Sequence, residues 1–156
     1  MAIHIVLFEP EIPQNTGNIA RTCAGTHTHL HLIKPLGFST DDKMLKRAGC
    51  DYWPNVHITY HDNMEAFLDT VQSEHVFCIE TVNAASFFTG DFSHPDEDYY
   101  FILGKETAGL PEKWLTYFQD HCYYLPQTDY IRSLNLSNTA AIIVYEALRQ
   151  QGFPGL

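Results

Sequence analysis

Short apolar runs alternate with helix-like segments along most of the chain, and this alternation restricts the fold more than any other feature. Helix-like segments begin after Asn15 and at Asp41, Asn63, Pro111 and Asn135. Such an order implies right-handed crossovers and predicts an α/β fold, a mostly parallel sheet with helices on both faces. The strand candidates are IHIVLF (3–8), HLHLI (29–33), VHITY (56–60), HVFCI (75–79), YYFIL (99–103) and CYYL (122–125).

The length and composition are those of one globular domain. The chain has 156 residues, 45% of them hydrophobic and 18% charged, with no repeat or linker that divides it. We therefore expect residues 1–156 to form a single domain. The first residues lack a secretory signal and no apolar stretch approaches bilayer length, so we expect a soluble cytoplasmic protein.

The four cysteines, Cys23, Cys50, Cys78 and Cys122, are widely spaced and form no CxxC pair. A cytosolic setting would keep them reduced. We interpret them as small, buried hydrophobic side chains.

The formal charge of −10 argues against nonspecific wrapping of nucleic acid, which needs concentrated lysine and arginine. The basic residues are nevertheless unevenly placed. Lys43, Lys46 and Arg47 lie close together, whereas acidic residues crowd the segment 91–98. A local basic face on an acidic protein is compatible with this distribution.

The loop LGKETAG follows the strand candidate 99–103, and in parallel sheets ligands bind beyond the carboxyl ends of strands. Gly104 and Gly109 would allow positive φ or a close approach to a ligand. Glu106 would accept hydrogen bonds that hold the loop in shape. The alternative is an ordinary turn before a helix that starts at Pro111.

A second glycine loop, PEIPQNTGNIAR, follows the first strand candidate. Asn15, Thr16 and Gly17 lead into a helix that carries Arg21, so an anion there would meet both the helix dipole and a guanidinium. The loop matches neither GxGxxG nor GxxxxGK[ST]. Dinucleotide and nucleoside triphosphate sites of those two types are therefore disfavoured.

The third segment, IRSLNLSNTAAIIVYE, contains the clearest helix start. Asn135 offers an N-cap oxygen, Arg132 and Ser133 precede it, and the small residues that follow allow another backbone to approach closely. Tyr145 lies well inside this helix, where it would either pack in the core or contact a partner.

The alternating histidines of THTHLH have two interpretations. On a strand, His27, His29 and His31 would share one face, as zinc ligands do. Surface imidazoles are the simpler prediction. Cys23 as a nucleophile has no support from its neighbours in sequence.

The segments NTGNIAR, LGKETAGLP and RSLNLSNTAAIIVYE, in this order, resemble the three motifs of the SPOUT RNA 2′-O-methyltransferases. The opening IVLFEPEIPQNTGNIARTCAGT, followed by HLIKPLGFSTDDKMLKRAGCDYW, is similar to one branch, the short bacterial methyltransferases that act on the cytidine or uridine at the tRNA wobble position. The similarity extends from Ile3 to about Gly155.

The resemblance implies a C-terminal deep trefoil knot whose loops bind S-adenosylmethionine, giving S-adenosylhomocysteine as product. It implies a homodimer packed through the knot, a tRNA substrate and no need for a metal. The residues implied in cofactor binding are Ile79, Gly104, Glu106, Gly109, Leu125, Ser133, Leu134 and Asn135.

Two residues match the catalytic positions of the family, Arg21 and Tyr145. An arginine stays charged and is a poor proton acceptor, so we expect Arg21 to stabilise the developing alkoxide or hold a phosphate, while Tyr145 orients or relays the proton. The residues expected to contact RNA are Arg21, Lys46, Arg47, Lys105 and Arg132. Alternatives are action on another RNA position, a non-catalytic module that binds S-adenosylmethionine or RNA, and a flavodoxin-like domain.

Overall fold

A computed structural model describes residues 2–39, 43, 47, 53–81 and 84–156. Its centre is a seven-stranded sheet in the order β3-β2-β1-β6-β4-β7-β5, and every pairing between these strands is parallel. The predicted α/β class and parallel sheet are confirmed, whereas the trefoil knot stays a prediction. The strands are β1 (Ile3–Phe8), β2 (His29–Ile33), β3 (Ile58–His61), β4 (Val76–Ile79), β5 (Ala85–Ser86), β6 (Tyr99–Leu103) and β7 (Cys122–Tyr124).

Four helices of the described chain cover both faces of this sheet, as predicted. The first face packs against α1 and α4, through side chains such as Ile19 and Ile143, and the second against α2 and α3, through Phe67 and Trp114. Short 3-10 helices occupy Trp53–Asn55, Phe87–Thr89 and Gln119–His121. The helix predicted from Asp41 lies largely outside the described residues. Lys46 and Cys50 also lie outside them. The helices are α1 (Pro13–Thr26), α2 (Met64–Thr70), α3 (Glu112–Tyr117) and α4 (Leu136–Gln151).

Helix α4 has the start that its sequence predicts, and it ends at a glycine. The Asn135 side-chain oxygen accepts hydrogen bonds from the backbone N–H groups of Ser137 and Asn138, which satisfies two of the free donors at the helix start. Gly152 ends the helix in the left-handed region at φ 78°. None of the described helices is long and apolar enough to cross a membrane.

Two cysteines contradict the prediction of reduced thiols. Cys78 and Cys122 are direct neighbours on β4 and β7, with Cα atoms 4.8 Å apart, and their sulfurs form a disulfide. Register between two distant strands cannot be read from cysteine spacing along the chain. Cys23 is free and buried, as predicted, and burial raises the pKa of its thiol to about 12.

A chain of imidazoles crosses the second face of the sheet diagonally, and we call it the histidine chain. His4 Nε2 lies 3.2 Å from Asp98 Oδ1, His4 Nδ1 lies 2.9 Å from His31 Nε2, and His31 Nδ1 lies 2.9 Å from His61 Nε2. His31 is only 8% exposed, so the prediction of a surface imidazole is wrong for it. β2 lies inside a parallel sheet, and both faces of such a strand are buried. The alternation of histidines along β2 therefore does not place His31 at the surface.

The Asp98 carboxylate fixes the tautomer of every ring in the chain. When the rings are neutral, His4 Nε2 donates to Asp98, so His4 Nδ1 accepts from His31 and His31 Nδ1 accepts from His61. Burial lowers the pKa of His4 to about 4 and, with nearby histidines, that of His31 to about 3. Among the described residues, no three His, Cys, Asp or Glu side chains are arranged so that they could hold a metal ion.

Candidate active site

A cavity of about 410 Å³ opens at the carboxyl edge of the sheet, beyond the ends of β4, β6 and β7. Loops from all three sequence motifs contribute to its wall. The lining residues are Ile12, Asn15, Ile79, Glu80, Thr81, Leu103, Gly104, Lys105, Glu106, Ala108, Gly109, Leu125, Gln127, Arg132, Ser133, Leu134, Asn135, Leu136 and Thr139.

The loop after β6 folds tightly back on itself because two glycines permit it. Gly109 has φ +68°, and its N–H donates to the carbonyl oxygen of Lys105 at 2.9 Å. A Cβ on Gly104 would lie 2.4 Å from the Gly109 carbonyl carbon and 2.5 Å from the Leu110 nitrogen. Neither backbone atom can move aside as a flexible side chain would. A side chain at position 104 is therefore incompatible with this loop.

The Glu106 carboxylate joins this loop to the start of α1. It accepts hydrogen bonds from the backbone N–H groups of Glu11 at 2.9 Å and Ile12 at 2.8 Å, and from Asn15 Nδ2 at 3.3 Å. A carboxylate at the first residues of a helix also meets the positive end of its dipole. The prediction that Glu106 would hold its own loop in shape thus understated its role, because it ties two motif loops together.

Two further contacts run between the same loops. The Thr107 hydroxyl and N–H donate to Glu11 Oε1 at 2.7 and 3.1 Å, and these bonds lower the pKa of the Glu11 carboxyl. Lys105 Nζ lies 2.9 Å from Glu9 Oε1, and this hydrogen bond raises the pKa of Lys105. Each loop therefore supplies both donors and acceptors to the other.

The third motif joins the network through two asparagines. Asn135 Nδ2 donates to Asn15 Oδ1 at 3.1 Å, and Asn15 in turn donates to Glu106. Arg132 donates weakly to the Thr107 carbonyl oxygen at 3.4 Å. We call the connected set centred on Glu106, with Glu11, Asn15 and Asn135, the loop network.

The structure places all eight predicted cofactor-binding residues on the wall of this one cavity, together with Lys105 and Arg132 from the predicted RNA-binding set. It does not place Arg21 or Tyr145 there. Arg21 is exposed on α1, and Tyr145 is 51% exposed on α4. Arg47 is exposed elsewhere, and Lys46 lies outside the described residues.

Five polar wall residues were not predicted as cofactor- or RNA-binding residues: Asn15, Glu80, Thr81, Gln127 and Thr139. Asn15 belongs to the second glycine loop, and Glu80 directly follows β4, so both had a signal in their position after a strand. Gln127 had none, because its place on the wall depends on how the segment after β7 folds back toward α4.

Comparison with known proteins agrees with this architecture. A solved structure from Bacillus anthracis is 56% identical with a TM-score of 0.94, covering 99% of this chain and 98% of that one. A structure solved in a study of 2-OH methylation of C/U34 on tRNA is 40% identical with a TM-score of 0.86, covering 97% of each chain. The SpoU methyltransferase AviRb from Streptomyces viridochromogenes, in complex with AdoMet, is 25% identical with a TM-score of 0.82 over 96% of this chain and 60% of that one.

The fold defines the class of α/β proteins that have a parallel sheet with a cavity at its carboxyl edge. A tRNA (cytidine(34)-2′-O)-methyltransferase from Methylovorus glucosotrophus is 48% identical over 152 residues, which are 97% of each chain. The model of the SpoU rRNA Methylase family matches residues 2–145. The chain belongs to this family.

Proposed function

We propose that this protein transfers a methyl group from S-adenosylmethionine to the ribose 2′-hydroxyl of the wobble cytidine or uridine in tRNA, in the cytoplasm. The observation that carries the proposal is the meeting of three motif loops, far apart in sequence, on one cavity. The names of the relatives from Methylovorus glucosotrophus and from the C/U34 study support the substrate. The AdoMet complex of AviRb supports the cofactor.

The cavity fits a cofactor of this kind. Its volume of about 410 Å³ is within the range for sites that enclose a small organic molecule. Gly104 and Gly109 keep one wall free of side chains, so backbone groups can reach the ligand. The remaining wall would come from Ile79, Leu125 and the turn Ser133–Asn135.

Bound S-adenosylmethionine would supply a methyl group on a sulfonium, which is already a good leaving group, so the protein mainly aligns the partners and handles one proton. Arg21 would stabilise the developing alkoxide or hold the adjacent phosphate, and Tyr145 would orient or relay the proton. A planar guanidinium can bind two oxygens side by side, whereas a lysine ammonium acts as a point charge. Near-normal turnover in Arg21→Lys would contradict a requirement for this two-oxygen contact.

Arg21 and Tyr145 are not on the cavity wall of their own subunit, which favours a homodimer in which both subunits complete each site. The outer surface of α4 supports this, because Ile142, Tyr145 and the nearby Phe153 are exposed apolar side chains. Mixing Arg21→Ala protein with Glu106→Gln protein tests the idea. At a cofactor concentration too low to fill the Glu106→Gln site, mixed dimers would contain one intact site and regain activity, whereas sites built within one chain would gain nothing from mixing.

The basic residues Lys46 and Arg47 would contact the RNA backbone. Their joint replacement by alanine should weaken RNA binding and reduce its salt dependence, because fewer phosphate contacts release fewer counterions. Cofactor affinity should not change. A fall in cofactor affinity would contradict this assignment.

The decisive experiment is methyl transfer from labelled S-adenosylmethionine to unmodified tRNA, followed by nuclease digestion and mass spectrometry. A 2′-O-methyl group at the wobble nucleotide that disappears with Arg21→Ala would support the reaction, the substrate and the residue together. Thermal stabilisation by S-adenosylhomocysteine without transfer to any tRNA would instead favour another RNA or a binding-only module.

A further inference from the structure

Tyr130 is the most exposed large hydrophobic side chain of the described chain. It is 90% exposed, and its neighbour Ile131 is 47% exposed. Two other strongly exposed tyrosines have ring partners: Tyr117 packs edge-on against Phe118 at 4.8 Å, and Tyr145 lies 6.4 Å from Phe153. Within the described residues, no aromatic ring contacts Tyr130.

The loop that carries Tyr130 is held in shape. Gln127 Nε2 donates to the carbonyl oxygens of Ile131 at 3.4 Å and Arg132 at 3.0 Å, which closes the segment between them into a turn. Arg132 is further attached to the Thr107 carbonyl oxygen. The ring of Tyr130 is therefore presented to solvent by a clamped turn and does not hang from a loose segment.

Both ends of this turn reach the cavity. Gln127 on one side of Tyr130, and Arg132 and Ser133 on the other, line its wall. The turn that carries the exposed ring thus borders the cavity, and Arg132, whose guanidinium would attract a phosphate, follows Tyr130 by two residues. An exposed aromatic face next to a positive charge is the arrangement that binds unpaired nucleotides, because every base can stack on it.

We propose that Tyr130 is a stacking platform for an unpaired nucleobase of the RNA substrate, next to the nucleotide whose ribose enters the cavity. This inference rests on the proposed function and adds a binding residue to it. A single-stranded loop would offer such a base, whereas a continuous duplex keeps its bases stacked on one another. The platform would favour loop nucleotides without selecting one particular base at the stacked position.

The test compares Tyr130→Ala, Tyr130→Phe and Tyr130→Trp, with Tyr117→Ala as the matched control. Tyr117 is also exposed, at 63%, but lies on α3 and not on the cavity wall. KM for an anticodon stem-loop RNA, kcat, S-adenosylhomocysteine affinity and particle mass are measured for each variant. Loss of one stacked base should raise KM about tenfold in Tyr130→Ala, with kcat and cofactor affinity unchanged. Phenylalanine and tryptophan should restore KM.

Three outcomes would overturn the proposal. These are an unchanged KM in Tyr130→Ala, a Tyr130→Phe variant as impaired as Tyr130→Ala, and a fall in particle mass, which would make Tyr130 a contact between copies of the chain. Failure of the proposed function is distinguished by the wild-type protein itself. If it transfers no methyl group to any tRNA, the function and the platform both fall.

Discussion

The loop network and the histidine chain are both polar assemblies in an apolar fold, but they are built in opposite ways. The loop network surrounds a carboxylate, Glu106, and satisfies it with backbone N–H donors beside an open cavity. The histidine chain lies under α2, and burial keeps His4 and His31 neutral. The difference teaches that a charged side chain lies where backbone N–H groups and solvent stabilise the charge. In the buried interior, neutral side chains pair as donor and acceptor instead.

The largest expected effect is on the loop network, from Gly104→Ala. The added Cβ would meet the Gly109 and Leu110 backbone, so the loop must open, and we expect a loss of at least about 3 kcal/mol in the free energy of unfolding or in cofactor binding. Denaturant unfolding and calorimetry with S-adenosylhomocysteine measure both quantities.

Gly25→Ala is the matched control for that substitution. Gly25 lies in α1, and nothing lies within 4 Å of a Cβ built there. Alanine should stabilise the helix by about 0.5–1 kcal/mol. Equal effects at the two glycines would contradict the close approach at Gly104.

Breaking the histidine chain should affect stability and leave the cavity intact. His31→Phe keeps a ring but removes the donor to His4 and the acceptor for His61, leaving two buried nitrogens unpaired. We expect a loss of about 2–3 kcal/mol in the free energy of unfolding. His57→Phe is the control, because exposed His57 stacks on His29 at 4.4 Å and phenylalanine can also stack. A change in cofactor affinity in His31→Phe would contradict the separation of the two networks.

Glu106→Gln should weaken cofactor binding, whereas His31→Phe should lower stability. A carboxamide directs an N–H₂ group at donors that the carboxylate satisfied, so we expect about 2 kcal/mol, or ~30-fold, weaker cofactor binding. Isothermal calorimetry measures it, with Glu112→Gln on the exposed surface of α3 as control. Unchanged affinity would show that the hydrogen bonds of Glu106 between the two loops are not needed for cofactor binding.

The smallest expected effect is the loss of unfolding free energy per pH unit when the protein is acidified. The pKa values of His4 and His31 in the fold are about 4 and about 3, below the usual 6.5, so the unfolded chain binds more protons. Stability should therefore be highest above about pH 6.5 and fall below it, by up to ~1.4 kcal/mol per pH unit for each histidine. The decline should continue toward pH 4 for His4, although Asp98 moderates it by favouring the protonated ring.

Unfolding midpoints in urea between pH 7.5 and 5 test this window. The slope with pH should be shallower in His31→Phe than in the wild type and should change less in His57→Phe, because burial lowers the pKa of His31 more than the charge on His57 does. A wild-type stability that rises on acidification would refute the assignment of neutral buried rings.

The sequence predicted the regular elements well because periodicity and caps are local. Six strand predictions agree with the structure to within two residues, and Asn135 caps α4 as expected. Strand β5 was missed because two residues leave no periodic signal. Helix α1 begins at Pro13, before the predicted start after Asn15, because proline at the first helical position needs no N–H partner.

The cavity wall was predictable only in part, and the hydrogen bonds between its loops were not predictable. Family resemblance selected residues that the structure places around one cavity, and their part in cofactor binding stays a prediction. The hydrogen bonds of Glu106 to Ile12 and of Asn135 to Asn15 depend on contacts between distant segments. The same applies to the burial of His31 and to the pairing of Cys78 with Cys122, which follow from strand register.

The strand order also has a consequence for synthesis on the ribosome. β1 is synthesised first, but its neighbour β6 is synthesised much later. Glu106 follows its partner Glu11 by 95 residues, and Asn135 follows its partner Asn15 by 120 residues. At ~5–20 residues per second, one edge of β1 stays unpaired for roughly 5 to 20 seconds. An apolar strand with a free edge is a site of aggregation. The nascent chain is therefore most vulnerable before β6 emerges, and its cavity is complete only when α4 begins.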